Sequence, residues 1–560
     1  MEKKLGGNAL ICNYCGHTNQ PGVKFCSKCG AQFPVQAQEA APPPAGYYAA
    51  PPAPESAAPA SGIADRIKSL PIKKILTIAI PVIVVIIAAI IFIPMLIGPG
   101  AAMVKDHIEV YDDGDRIIVS GNNNARFIID GEYFSEQCSL DGSKVVVLAD
   151  YDGEKGGTLW LVTTSNYFRI AEDVLYYVLA DSGNGVAYQT DYDRRHGIAT
   201  LYLYNVSSKS SAKISEDAKY SEGICISPNG KTVSFISDLD DRDNDFYGYI
   251  SIDGKASERI GQNMYAVAIS DGARHMYYIK ITDGSRSLHV RSGQNDNRLI
   301  TDLGPYYRLM LNRDYSQAVF NMDDKAYITI NGGERERIGG KSISRFVLPR
   351  GTQQGGNHSR VTVYGIRNFA NNVVINDDGL AYINKDFDAN RINSSSDHAW
   401  YASISENGRT LLFINNNGHL SSIDPTQPNA ERVEIGRNVE AFAASNNAKL
   451  IYFVNEDEEL FCVKGNGAPF KISDDVYSGY LGMSYTSNRV FFLVDFSNRR
   501  YAGELYYSNN GGVKTKVAGA GEVMGMLITP TNVFYMDTDN AIYRSNGNER
   551  FALFVDDLEG

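Results

Sequence analysis

Residues 227–241 read SPNGKTVSFISDLDD, and the fold follows from how this stretch is built and how often it returns. Ser227, Asn229 and Gly230 are turn residues, and Asn-Gly tolerates the left-handed backbone that tight turns need. Thr232 to Ser237 then alternate, with Val233 and Phe235 on one face, which is the period of a β-strand. Asp238, Asp240 and Asp241 follow as a second, acidic turn. Weaker copies begin at Ser139, Ala180, Ser270, Leu311, Ile366, Ser405, Ser445, Ser484 and Thr529, spaced 39 to 55 residues apart. A unit of that length carries several strands and two apolar faces, which it cannot cover alone. Stacking the units around an axis buries both, which is the logic of a β-propeller. The pairs Val145/Val147, Val233/Phe235, Met276/Tyr278, Leu411/Phe413, Ile451/Phe453 and Val490/Phe492 are expected to point into the packing between blades.

The SPNGK turn, the following Phe235 and the Asp-rich hairpin resemble the TolB-like and low-density-lipoprotein-receptor-like β-propeller repeats. The resemblance is strongest at 227–238 and extends more weakly from 139 to the end. It implies a propeller over 106–560 with about eight to ten four-stranded blades. Two smaller propellers joined in the long interval 331–365 are the alternative. Residues 106–134 are expected to supply an extra strand set or a ring-closing strand.

The N-terminal end has a different composition. Cys12, Cys15, Cys26 and Cys29 stand in two Cys-x-x-Cys-Gly knuckles. Two residues between thiols let a tight turn wrap one ion, and four thiolates make a closed tetrahedral site. Residues 1–33 are therefore read as a zinc ribbon holding one structural Zn2+, with iron the lesser alternative. So short a module has almost no apolar core, and metal binding supplies most of its folding free energy. The CNYCGHTNQPGVKFCSKCG pattern resembles the short zinc ribbon at the N-terminus of many bacterial membrane proteins, which implies a cytoplasmic adaptor.

Residues 34–70 are rich in Ala and Pro and show no apolar periodicity, so they read as a disordered tether. Residues 75–97 then form 23 residues without a charge, long enough for a bilayer that needs about 20. The expectation is a transmembrane signal-anchor helix over 71–98. Arg66, Lys68, Lys73 and Lys74 precede the run, whereas Lys105 is followed by Asp106, Glu109, Asp112, Asp113 and Asp115. Positive residues stay inside, which predicts a single-pass protein of the cell membrane with a cytoplasmic N-terminus and an extracytoplasmic C-terminal domain. Cys138, Cys225 and Cys462 are expected to be small buried strand residues.

Charge bounds the partners. The chain carries +5 through Lys105 and −17 beyond it, which argues against nucleic acid. The eight histidines are dispersed, and neither a G-x-S-x-G elbow nor an H-E-x-x-H pair occurs. Asp241, Asp243 and Asp245 alternate like the start of a calcium loop, but Phe246 stands where such a loop needs Gly, so hairpin turns are the favoured reading. No catalytic residue is assigned and the chain is not read as an enzyme. The expected function is binding: the propeller takes an exoplasmic ligand or protein, and the ribbon takes a cytoplasmic protein. A membrane-anchored carbohydrate-active enzyme is one alternative, which requires paired carboxylates in a central pocket. A structural scaffold of a membrane complex is the other.

Overall fold

The structure is a computed structural model of the 560-residue chain. It describes residues 10–11, 18–19 and 101–554, apart from 113–115, 122–125, 241–244, 356–359, 393–398, 400, 428, 485 and 518. The chain divides into two units, 1–82 and 83–560.

In the second unit most repeats become one antiparallel sheet made of consecutive strands, the exception being two strands inserted within 343–391 that join the preceding sheet. Sheet 1 spans 108–130 and has three strands. Ten four-stranded units follow: 133–174, 176–219, 225–262, 264–300, 309–338, 343–391, 401–436, 439–473, 476–516 and 522–554. They are numbered sheets 2 to 11. Sheets 10 and 11 run on as one, but only through the pairing of Gly503 and Glu504 with Val523 and Glu522. Residues 106–134 thus supply an extra strand set, and the blade count exceeds the expected range by this additional sheet.

The alternating pairs lie where the period places them. Val145 and Val147 face sheet 1, Val233 and Phe235 face sheet 3, and Met276 and Tyr278 face sheet 4. Leu411 and Phe413 fill the joint of sheets 7 and 8, Ile451 and Phe453 that of sheets 8 and 9, and Val490 and Phe492 that of sheets 9 and 10. Ten apolar clusters occupy the ten joints between sheets consecutive in the chain. Each is an interface of interdigitated side chains from two sheets, and burial of this kind is the main driving force for holding one blade on the next.

The repeat's polar letters have an equally physical use. Buried Ser227 donates from Oγ to Asn229 Oδ1 at 2.8 Å and accepts from Thr232 N at 3.0 Å, so one hydroxyl pins both ends of the turn. Ser405 and Ser445 do the same with Asn407 and Asn447, and Asn312 substitutes for serine in sheet 6. Gly230 has φ 76°, and a Cβ there would lie 2.4 Å from Gly185 N of the neighbouring turn. That close approach lets successive turns bond to each other: Leu140 N to Asp181 O at 2.8 Å, and Ser182 N to Pro228 O at 3.0 Å. The acidic turns supply left-handed residues at hairpin bulges, with Asp150, Asp191 and Asp238 at φ 53°, 55° and 50°.

The interval 331–365 does not separate two propellers. Apolar packing continues from sheet 6 to sheet 7 across it. The inserted strand Val361–Tyr364 instead pairs in parallel with Leu309–Leu311 of sheet 6. Ala102 N bonds to Gly365 O at 2.6 Å and Gln353 N to Ala102 O at 2.7 Å, while Lys105 N and Asp106 N bond to Asp141 O in sheet 2. These two segments form a cross-tie from sheet 6 back to sheet 2. The array then closes on itself, with Arg544 Nη1 of sheet 11 donating to Gly121 O of sheet 1 at 2.6 Å.

The expected fold class needs a correction. The described residues hold strands and a 3-10 turn at Asp271–Ala273, and no helix long and apolar enough to cross a membrane is found among them. Among the described residues the architecture is all-β, and the expected transmembrane helix is not part of it. The expectation rests on hydropathy and length, which measure the water-to-lipid transfer of a segment and not its conformation. The run 75–97 lies outside the described residues, as does the tether 34–70.

Candidate functional site

The four cysteines singled out from their spacing, Cys12, Cys15, Cys26 and Cys29, lie outside the described residues. The described strands Leu10–Ile11 and Thr18–Asn19 pair antiparallel, Leu10 with Asn19 and Ile11 with Thr18. In the sequence, Cys12 and Cys15 fall between these two strands. Four thiols and no carboxylate among the proposed donors suit a closed zinc site.

In the propeller, two groups of titratable side chains stand out. The first lies on the inner strands of sheets 1 and 2. Tyr133–Cys138 exposes every second residue, Phe134, Glu136 and Cys138, while Ser135 and Gln137 turn toward sheet 3. Ser135 Oγ meets Tyr177 OH at 3.1 Å, and Gln137 brackets the strand Tyr176–Leu179, donating to Tyr177 O at 3.2 Å and accepting from Leu179 N at 2.8 Å. The exposed set is therefore held by a strand locked from behind. Phe134 stacks on Tyr151 at 4.0 Å. On sheet 1, Glu109 Oε2 lies 2.6 Å from His107 Nε2.

Glu136 reaches solvent but is ringed by protein, and this partial desolvation, with the nearby Glu109 charge, raises its carboxyl to about 7. Burial and the same two carboxylates push the Cys138 thiol up to about 12. Cys138 is exposed, unlike the buried Cys225 and Cys462, which corrects the expectation for that residue, and all three are free. Its neighbours keep it protonated, so it is no ready nucleophile despite its access. A carboxyl that keeps its proton near neutrality can donate it, which is one requirement of acid–base chemistry.

The second group lies where the turns of sheets 3 to 6 converge. Tyr315 OH donates to Asp181 Oδ2 at 3.0 Å across 134 residues of sequence. Asp181 is 7% exposed and its Oδ1 has no partner among the described residues. Burial raises its carboxyl to about 6, the Tyr315 bond opposing and the Asp271 charge adding to the shift. Beside it, Cys225 and Tyr315 line a narrow cavity of about 10 Å³ with Ile224, Val267, Val361 and Val363. That is room for one water at most.

The acidic hairpins build no metal site. Among the described residues no group of three or more metal-ligating side chains converges. Asp241 and Asp243 lie outside the described residues, and Asp245 is taken up by Gln262 and Asn263 at 2.5 and 2.6 Å. An open cleft of about 210 Å³ at the outer hairpins is lined by His196, Ile198, Asp217, Asp238 and Leu239. Neither Glu136 nor Asp181 was singled out from the sequence. The one available signal was an acid placed among apolar inner-strand or turn positions, and the repeat offers many such places.

Fold and site define a β-propeller protein with an N-terminal zinc ribbon. Residues 11–33 match the zinc-ribbon domain family. No curated protein matches the chain. Among solved structures, the chain is similar to a eukaryotic initiation factor, with 11% identity, 66% of this chain and 95% of that one covered, and a TM-score of 0.38. It is also similar to TolB from Acinetobacter baumannii, at 12% identity, 59% and 80% coverage and a TM-score of 0.27. The β-propeller domain of the Trilobed protease from Pyrococcus furiosus gives 9% identity, 67% and 97% coverage and a TM-score of 0.25. The propeller assignment rests on this chain's own strand order.

Proposed function

We propose that the chain is a two-ended interaction protein, in which the propeller binds a protein or ligand and the zinc ribbon, holding one structural Zn2+ through Cys12, Cys15, Cys26 and Cys29, binds a second protein. The observation that carries this reading is the packed array of sheets joined by ten apolar clusters. Such an array leaves its loops and inner edges as the variable surface, which suits recognition more than turnover. Attachment to a membrane through the uncharged run 75–97, with the ribbon on the cytoplasmic side, is part of the proposal and is supported by the charges flanking that run. The test is affinity capture with the full chain, with and without a zinc chelator, combined with protease treatment of intact cells. Chelation should release one stoichiometric partner and retain another, and the propeller should be digested on intact cells while an N-terminal tag survives. Capture unaffected by chelation, or a propeller protected until lysis, removes the two-ended arrangement.

The Glu109–Glu136 pair favours one second reading, an enzyme acting on carbohydrate. Turnover of a polysaccharide panel that Glu136→Gln abolishes would establish it; no turnover by the wild-type chain would dismiss it.

A further inference from the structure

Ten of the joints in the array have two attachments: an apolar cluster, and the chain itself running from the last strand of one sheet into the next. The joint between sheets 11 and 1 has neither. The sheets meeting there are the first and last of the array, so no connecting segment spans them, and each is made of its own consecutive strands with none exchanged across the joint. Among the described residues no apolar cluster comparable to the other ten occupies it.

Strand alternation identifies what does occupy it. Ile117 and Val119 face sheet 2, so Ile118 and Ser120 face sheet 11. Tyr535 and Tyr543 face sheet 10, so Phe534 and Arg544 face sheet 1. Arg544 is 1% exposed, donates to Gly121 O and lies 4.9 Å over the Phe551 ring, while its Nε and the Ser120 Oγ are both buried with no partner among the described residues. Ile118 and Phe534 are buried at the same joint, and the His107 ring lies edge-on to Phe534 at 5.2 Å. Beside buried Ile118 and Phe534 the joint thus holds a buried cation and two polar atoms with no partner among the described residues, and unsatisfied polar atoms favour whichever state lets water reach them.

We infer that the joint of sheets 11 and 1 is a latch, the place where the closed array opens, with buried Arg544 closing it where the other joints carry a larger apolar cluster. Opening there separates two surfaces and breaks no strand pairing, whereas opening at another joint must also strain a covalent connection. The inference does not depend on what the propeller binds.

Hydrogen exchange on the full chain tests it. Amides of Arg116–Gly121 and Ile542–Ser545 should exchange about tenfold or more faster than amides of the matching strands in sheets 3 to 9, as a local opening would produce. Arg544→Met, which keeps length and removes the charge, should slow exchange at those two strands by a similar factor and leave the other joints unchanged. Equal protection at all joints in the wild-type chain overturns the latch. So does faster exchange in Arg544→Met, whether confined to the joint or spread through every sheet.

Discussion

Asp181→Asn should make the propeller more stable at neutral pH by an amount that disappears in acid. In the folded chain the Asp181 carboxyl lies at about 6 against an ordinary 3.8, chiefly because its side chain is buried. Between those values the folded protein holds a proton that the unfolded chain has released, so stability falls as pH rises. The contribution is fully present below about pH 4 and is lost once pH passes about 6; the shift corresponds to about 3 kcal/mol. Asparagine keeps the shape and still accepts the Tyr315 hydroxyl, which donates to Asp181 at 3.0 Å, but it does not titrate. It leaves an unpaired amide hydrogen near the position of Oδ1, a cost of about 1–3 kcal/mol that is the same at every pH. The informative quantity is therefore the slope of the difference between variant and wild type and not its absolute value. Thermal melts of both chains from pH 4 to 8 should show the variant gaining on the wild type by a few degrees, with the change falling between about pH 4 and 6 and levelling off above it. A difference that is flat across this range, or that moves the opposite way, would refute the account of Asp181 as an acid trapped at the hub.

Other outcomes follow from the same geometry. Ser227→Ala removes a hydroxyl that both donates and accepts at a buried turn, and should cost about 1–3 kcal/mol in denaturant melts, with Ser405→Ala matching it. Iodoacetamide should label exposed Cys138 slowly at pH 8, and Glu136→Gln should speed that labelling because it removes one of the charges that hold the thiol protonated; mass spectrometry of the labelled peptide reads the rate. Replacing Cys12 or Cys26 by serine should abolish stoichiometric zinc in metal analysis of the purified chain while leaving the propeller's melting unchanged.

The strand content, the repeat and the faces of the alternating pairs were legible in the sequence because each depends on neighbours a few residues apart. Val233 and Phe235 face one way because a strand has a period of two, and Ser227 with Asn229 and Gly230 makes a turn wherever those letters stand. The Cys-x-x-Cys spacing is equally local, and it pointed to the module that the family match also finds at 11–33. The sheet count, the cross-tie and the seam were not legible. They depend on how many twisted sheets fit around the axis and where an insertion returns, and no short window records either. The interval 331–365 appeared only as a long gap, yet its strand Val361–Tyr364 ties sheet 6 back toward sheet 2. Only the tertiary structure brings Asp181 to Tyr315 and Arg544 to Gly121, and it withdraws Glu136 from enough water to change its proton affinity. Local pattern decides what each segment becomes; burial, charge proximity and closure are properties of surfaces that meet only after the whole array has formed.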